Sequence, residues 1–207
     1  MHICAMSPLD ASLPAYAVLC SGGGSNLQVL LDRSASGDLP GRPAWVVSNN
    51  AQAHALERAR QAGVPALHVS TRTHGSDEGV GERLVQLIDE HDVRVLVLAG
   101  YMRPLAASVI RRLPGKVVNI HPALLPAFGG KGMYGHHVHE AVIARGARWT
   151  GVTIHLVTEH YDEGPILCQR VVGVRPDDTP HSLGARVLRM EHDTLWREIR
   201  ALLAQES

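Results

Sequence analysis

The sequence predicts an α/β protein: an open, mostly parallel Rossmann-like sheet with helices on both faces and an antiparallel strand pair near the C-terminal end. Short apolar runs alternate with longer amphipathic ones over the first half of the chain, which is βαβα order. A glycine-rich segment, Ser21-Gly22-Gly23-Gly24-Ser25, separates the first apolar run from the first amphipathic one. Two long β-branched runs, Trp149 to Val157 and Ile166 to Val174, flank a polar, turn-prone stretch and read as an antiparallel pair.

Taken in order, Tyr16 to Cys20 is the first strand, and a helix follows Ser25. Trp45 to Ser48 is the second strand, followed by a helix over Ala53 to Ala62 that Gly63-Val64-Pro65 stops. Ala66 to Val69 makes a short third strand, and Gly81 to Glu90 a helix ending before His91-Asp92. Val93 to Ala99 is almost continuously apolar, as a central parallel strand covered on both faces requires. Val117 to Ile120 is the next strand. After the antiparallel pair, a helix begins near Thr179-Pro180 and runs to about Ala204, with Leu183, Val187, Met190, Leu195, Ile199 and Leu202 near helical period.

At 207 residues the chain is most simply one domain over 1–207, large enough to bury roughly 70% of its unfolded surface. Residues 1–15 read as a loose extension, without the basic and apolar regions of a signal peptide. Hydrophobic residues make up 45% and charged residues 19%, and 20 basic side chains balance 20 acidic ones. This composition argues against a nucleic-acid or membrane surface. Cys4, Cys20 and Cys168 lack paired metal-ligand spacing, which fits a reducing cytoplasm.

Two segments carry chemistry. In Val117-Val118-Asn119-Ile120-His121-Pro122, strand alternation puts Asn119 and His121 on one face, and Pro122 ends the strand where they emerge. They are either strand-end caps or a paired hydrogen-bond donor and proton carrier at the sheet edge where α/β proteins bind ligands. In the glycine loop, bare N–H groups and a helix N-terminus form an anion site, with Ser25 or Asn26 free to cap the helix or donate to a phosphate. Leu27 stands where a dinucleotide fingerprint needs glycine, and the second strand ends in Ser48-Asn49-Asn50 rather than an acid. A phosphomonoester suits the loop better than a dinucleotide or a triphosphate.

With these segments in one chain, the sequence resembles the folate-dependent phosphoribosylglycinamide formyltransferases. The likeness covers roughly Ala17 to Leu203 and rests on Ser21-Gly22-Gly23-Gly24-Ser25-Asn26-Leu27-Gln28, Leu98-Ala99-Gly100-Tyr101-Met102-Arg103, Asn119-Ile120-His121-Pro122-Ala123-Leu124-Leu125-Pro126 and Tyr161-Asp162-Glu163-Gly164-Pro165-Ile166. The resemblance implies the formyltransferase fold and transfer of a formyl group from 10-formyltetrahydrofolate to the amine of glycinamide ribonucleotide in de novo purine biosynthesis. It implies Gly23, Gly24, Ser25 and Asn26 for the substrate's phosphate, Glu191 for its ribose, and Tyr101, Met102, Arg103, Leu105 and Tyr161 around the folate.

Attack of an amine on a formyl carbon builds an oxyanion and sheds a proton, so donors must face that oxygen. Asn119 offers an amide, and a protonated His121 can donate to the oxyanion and then to the departing nitrogen. Asp162 is expected to favour the imidazolium and to accept the amine's proton. These roles call for small-molecule substrates and no metal, nucleic acid or membrane, and either a monomer or a homodimer is compatible with them.

The chain departs from the family at Ser76-Asp77-Glu78-Gly79, where relatives often carry a basic residue, so that either Arg72 or Arg83 substitutes or the contact is missing. The segment Phe128 to Gly135 is long and glycine-rich, suiting a lid. A rival zinc-hydrolase reading rests on His136, His137 and His139, with His121 and His155 as possible neighbours. The same fold also accommodates other formyltransferases and formyltetrahydrofolate hydrolases.

Overall fold

A computed structural model describes residues 12–205. Residues 1–11, most of the proposed N-terminal extension, lie outside the described residues. The strands form one seven-stranded sheet in the order β3-β2-β1-β4-β5-β6-β7. They are β1 (Ala15–Cys20), β2 (Arg42–Ser48), β3 (Ala66–His68), β4 (Val93–Leu98), β5 (Val117–His121), β6 (Trp149–Leu156) and β7 (Ile166–Gly173). The first five pair in parallel, β6 is antiparallel to β5, and β7 is antiparallel to β6. The sheet is therefore the predicted one, with its antiparallel end where the β-branched runs lie.

The helices are α1 (Ser25–Ala35), α2 (His54–Gln61), α3 (Thr71–His74), α4 (Asp77–Glu90), α5 (Ala107–Arg112), α6 (His136–Ala144) and α7 (Pro180–Ala204). Alternation along β1 splits its apolar residues between two cores. Tyr16, Val18 and Cys20 pack with α1, α2, α6 and α7, whereas Ala15, Ala17 and Leu19 pack with α4 and α5. Burial on both faces is what makes β1 and β4 nearly all apolar.

Several boundaries differ from the sequence reading. α4 starts at Asp77 rather than Gly81, because the Ser76 hydroxyl accepts from the Gly79 N–H and Asp77 and Glu78 favour the first turn electrostatically. α3, α5 and α6 were not expected. They are short, and α5 buries only Val109 fully, too few apolar positions to set a period. No helix among the described residues is long and apolar enough to cross a membrane.

Candidate active site

The strand order reverses between β1 and β4, so the loops leaving their carboxyl ends part around a crevice. Ser21 ties those loops together. Its N–H donates to the Gly100 carbonyl at 3.0 Å, its hydroxyl donates to Asn49 Oδ1 at 2.5 Å, and it accepts from the Met102 N–H at 2.8 Å. The crevice opens into a cleft of about 900 Å³. The residues assigned from sequence to catalysis, ribonucleotide and folate all line it: Gly23, Gly24, Ser25, Asn26, Glu191, Tyr101, Met102, Arg103, Leu105, Asn119, His121, Tyr161 and Asp162, whereas Arg72, Arg83 and His137 do not.

β5 delivers Asn119 and His121, as alternation required, and the 157–165 segment brings Asp162 to them. His121 is 3% exposed; its Nε2–H donates to the Phe128 carbonyl at 2.8 Å, and its Nδ1 lies 3.7 Å from Asp162 Oδ2. Asp162 sits in the left-handed region at φ 57° and accepts from the Gly130 N–H at 2.8 Å. Burial pushes the His121 imidazole below its usual value, outweighing the upward pull of Asp162 and of the Phe128 carbonyl. Asp162 thus favours the imidazolium, as expected from sequence, while burial favours the neutral ring. For Asp162 the balance falls the other way. Burial would raise its carboxyl, but His155 and His121 in their proton-bearing forms, with the Gly130 amide, hold it below the usual carboxylate range.

His155, which the sequence reading placed only as a possible neighbour of a zinc site, joins this group. Cross-strand register sets His155 on β6 opposite Asn119, with Nε2 3.1 Å from the Asn119 carboxamide nitrogen and 3.5 Å from Asp162 Oδ1. The signal was present as a polar residue interrupting Val152-Thr153-Ile154, but only the register shows which residue it faces.

In the glycine loop, Gly24 is the N-cap of α1, so neither Ser25 nor Asn26 caps it. The amides of the first turn have no partner within the helix and face a cleft that includes Ser25 and Asn26. The three glycines are not equivalent. Gly24 is at φ +72°, and a Cβ there would fall 2.8 Å from the Ala55 Cβ of α2, whereas around Gly22 and Gly23 a Cβ meets nothing within 4 Å. Asn26 donates instead to Glu191 on α7, at 2.7 Å. Arg58 braces the loop from below, through the Gly23 carbonyl at 2.8 Å and Gln28 at 2.9 Å.

Glu191 is 8% exposed, and burial pushes its carboxyl up to about 7 despite the Asn26 hydrogen bond. Arg103, expected to grip a carboxylate, pairs across the surface with Asp77 at 3.1 Å, so an acid at the departing Ser76–Gly79 segment holds the cation. Met102 and Tyr161 are about half exposed, whereas burial raises the Tyr101 phenol. The histidine cluster divides. His136, His137 and Glu140 bring ligand atoms within 4.8 Å of one another at the start of α6, while His139 is buried against Gly184 of α7. His121 and His155 belong to the Asp162 group rather than to that trio.

The contrast between glycines predicts two outcomes. Gly24→Ala destabilises the fold by roughly 2–4 kcal/mol through left-handed strain and the clash with α2. Gly23→Val leaves thermal stability nearly unchanged and weakens phosphate binding, measured by thermal melts and by titration with inorganic phosphate. For Glu191 the sign follows from its raised value: stability is full below the ordinary carboxylate range and is lost as pH rises through about 7. Glu191→Gln should therefore melt higher than wild type near pH 8, by up to roughly 3 kcal/mol, and almost equally near pH 5. Equal melting curves at both pH values would show that Glu191 ionises freely.

Residues 15–199 match the family model described as formyl transferase. A phosphoribosylglycinamide formyltransferase of Escherichia coli (strain K12) is 37% identical over 84% of this chain and 80% of its own length. The chloroplastic enzyme of that name from Vigna unguiculata is 43% identical over 92% of this chain, but the chain spans only 61% of that relative's length. The crystal structure of glycinamide ribonucleotide transformylase 1 from Symbiobacterium toebii superposes with a TM-score of 0.88 at 38% identity, covering 93% of this chain and 89% of the other. Sheet order, crevice and sequence agree that the chain belongs to the formyl transferase family, among the phosphoribosylglycinamide formyltransferases.

Proposed function

We propose that the chain transfers a formyl group from 10-formyltetrahydrofolate to the amine of glycinamide ribonucleotide, a step of de novo purine biosynthesis. The observation that carries this reading is the convergence of Asn119, His121 and Asp162 in one cleft with an anion-binding glycine loop. A hydrolase would use the first group and leave the loop without a ligand. The ribonucleotide's phosphate suits the amides of the α1 N-terminus, and Glu191 beside Asn26 suits its ribose hydroxyls. Tyr101, Met102, Leu105 and Tyr161 offer an apolar and aromatic wall to the folate, and Arg103 a cation for its carboxylates.

The amine attacks the formyl carbon directly, and Asn119 donates an amide N–H to the oxygen that becomes negative. Asp162, ionised at neutral pH, accepts the proton the amine sheds. That proton reaches Nδ1 of the neutral His121, 3.7 Å away, directly or through a water. The resulting imidazolium stabilises the oxyanion and then returns a proton to the departing folate nitrogen, so the cycle closes with no net proton change on the protein. Each step uses a group of this chain and calls on no metal.

The direct test is to follow folate absorbance with and without glycinamide ribonucleotide. Deformylation should depend on the acceptor and survive chelation. Equal turnover without the acceptor would identify a hydrolase, and loss on chelation would revive a metal mechanism. Asp162→Asn keeps size and hydrogen bonding but removes the charge, so turnover should fall by two or more powers of ten, on the order of 3 kcal/mol of transition-state stabilisation. Substrate binding should change much less, and the His121 titration, followed by NMR, should move to still lower pH. Near-wild-type turnover with an unmoved titration would remove Asp162 from the mechanism.

A further inference from the structure

We propose that His155 is a positioning residue: its neutral imidazole, protonated on Nδ1, holds the Asn119 carboxamide in the one orientation that aims a donor at the formyl oxygen. The inference rests on the reading of Asn119 given above. A carboxamide in a cleft has two nearly isosteric orientations, one presenting N–H₂ and the other C=O to a given neighbour. Catalysis needs a fixed one, because a carbonyl turned toward the developing oxyanion repels it.

The structure supplies the fixing group. His155 is 2% exposed, on β6 directly opposite Asn119. Its Nδ1 lies 3.0 Å from the Leu156 carbonyl, an acceptor only, so Nδ1 carries a proton. In the neutral ring Nε2 is then bare. At 3.1 Å from the Asn119 nitrogen it accepts one amide N–H, leaves the other for the cleft, and excludes the flipped carboxamide, whose oxygen would face a lone pair. Protonation of Nε2 reverses this logic: the new N–H faces the Asn119 N–H₂ and turns instead to Asp162 Oδ1 at 3.5 Å. The charged or titratable groups facing the ring are Asp162 and His121.

The test combines substitution with a spectroscopic readout on the unaltered protein. His155→Leu removes the acceptor. It should lower kcat by about 10- to 100-fold, the rate equivalent of one buried hydrogen bond, and leave binding of inorganic phosphate within about threefold. His155→Gln, whose side-chain oxygen reaches the position of Nε2, should restore part of that loss by accepting the same Asn119 N–H. In an Asn119→Ala background His155→Leu should cost little more, because the two act as a unit. Nitrogen NMR of wild type at alkaline pH should show Nε2 without a proton. A proton found there, a His155→Leu enzyme with wild-type kcat, or an equal loss in the Asn119→Ala background would each overturn the inference. A wild-type protein unable to transfer formyl would instead refute the functional reading, and the NMR tautomer would still decide whether His155 holds Asn119.

Discussion

The sheet changes from parallel to antiparallel between β5 and β6, and the site depends on that change. An antiparallel neighbour sets residue against residue, so Asn119 meets His155 and His121 meets Thr153. A slip of one position would turn His155 to the opposite face and leave Asn119 beside an apolar side chain. Register is therefore worth as much to the chemistry as to the core. The segment that follows must fold straight back to bring Asp162 to both histidines. Gly164 permits it, because a Cβ there would fall 1.8 Å from the Leu156 carbonyl oxygen.

Three ionisable groups of the cleft show how the number of partners decides a charge. Glu191 has one neutral donor, Asn26, and burial wins, so the carboxyl titrates near physiological pH. His121 has one carboxylate at 3.7 Å and one carbonyl, and burial still wins. Asp162 has a backbone N–H and, in their proton-bearing forms, two imidazoles, and burial loses. Because a charge withdrawn from water costs several kcal/mol while each hydrogen bond to it returns only about 1.5–3, several partners are needed to hold an ion in place. The group built to stay ionised is the one with the most partners.

The features visible in the sequence were those a short window encodes. The glycine loop, the alternation of Asn119 and His121, the stop at Pro122 and the apolar β4 each follow from local rules, and the β-branched runs near the end gave the antiparallel pair. What could not be read depends on distant segments. Asn26 looked like a cap because nothing local announces Glu191, 165 residues away on another helix. Gly24 looked like a ligand-approach residue, whereas its Cβ space is taken by Ala55 of α2. The Asp162 charge that favours the His121 imidazolium is visible in sequence, but the depth of burial that opposes it is not. His155 was placed only as a possible zinc neighbour, because its pairing with Asn119 lies in a register that no spacing rule gives.

The link between Asn26 and Glu191 shows what such long-range contacts add beyond geometry. Asn26 belongs to the loop suited to a phosphate, Glu191 to the helix suited to a ribose, and one hydrogen bond of 2.7 Å makes them a single body. Among the described residues the Asn26 side-chain oxygen has no partner, so the donor half of its carboxamide is committed while the acceptor half is not. When Glu191 loses its proton it pulls harder on the Asn26 amide, because a hydrogen bond to an ionised acceptor is roughly twice as strong as to a neutral one. Asn26 is then held more firmly, and with it the first turn of α1 whose amides face the cleft. A ligand that favours the ionised carboxylate through hydroxyl donors thus also stiffens the anion site beside it. By reciprocity, an anion that stiffens the loop eases ionisation of Glu191. On the proposed assignment the two subsites are coupled through this bond, so that a molecule carrying both a phosphate and vicinal hydroxyls gains from each contact part of what the other has already ordered.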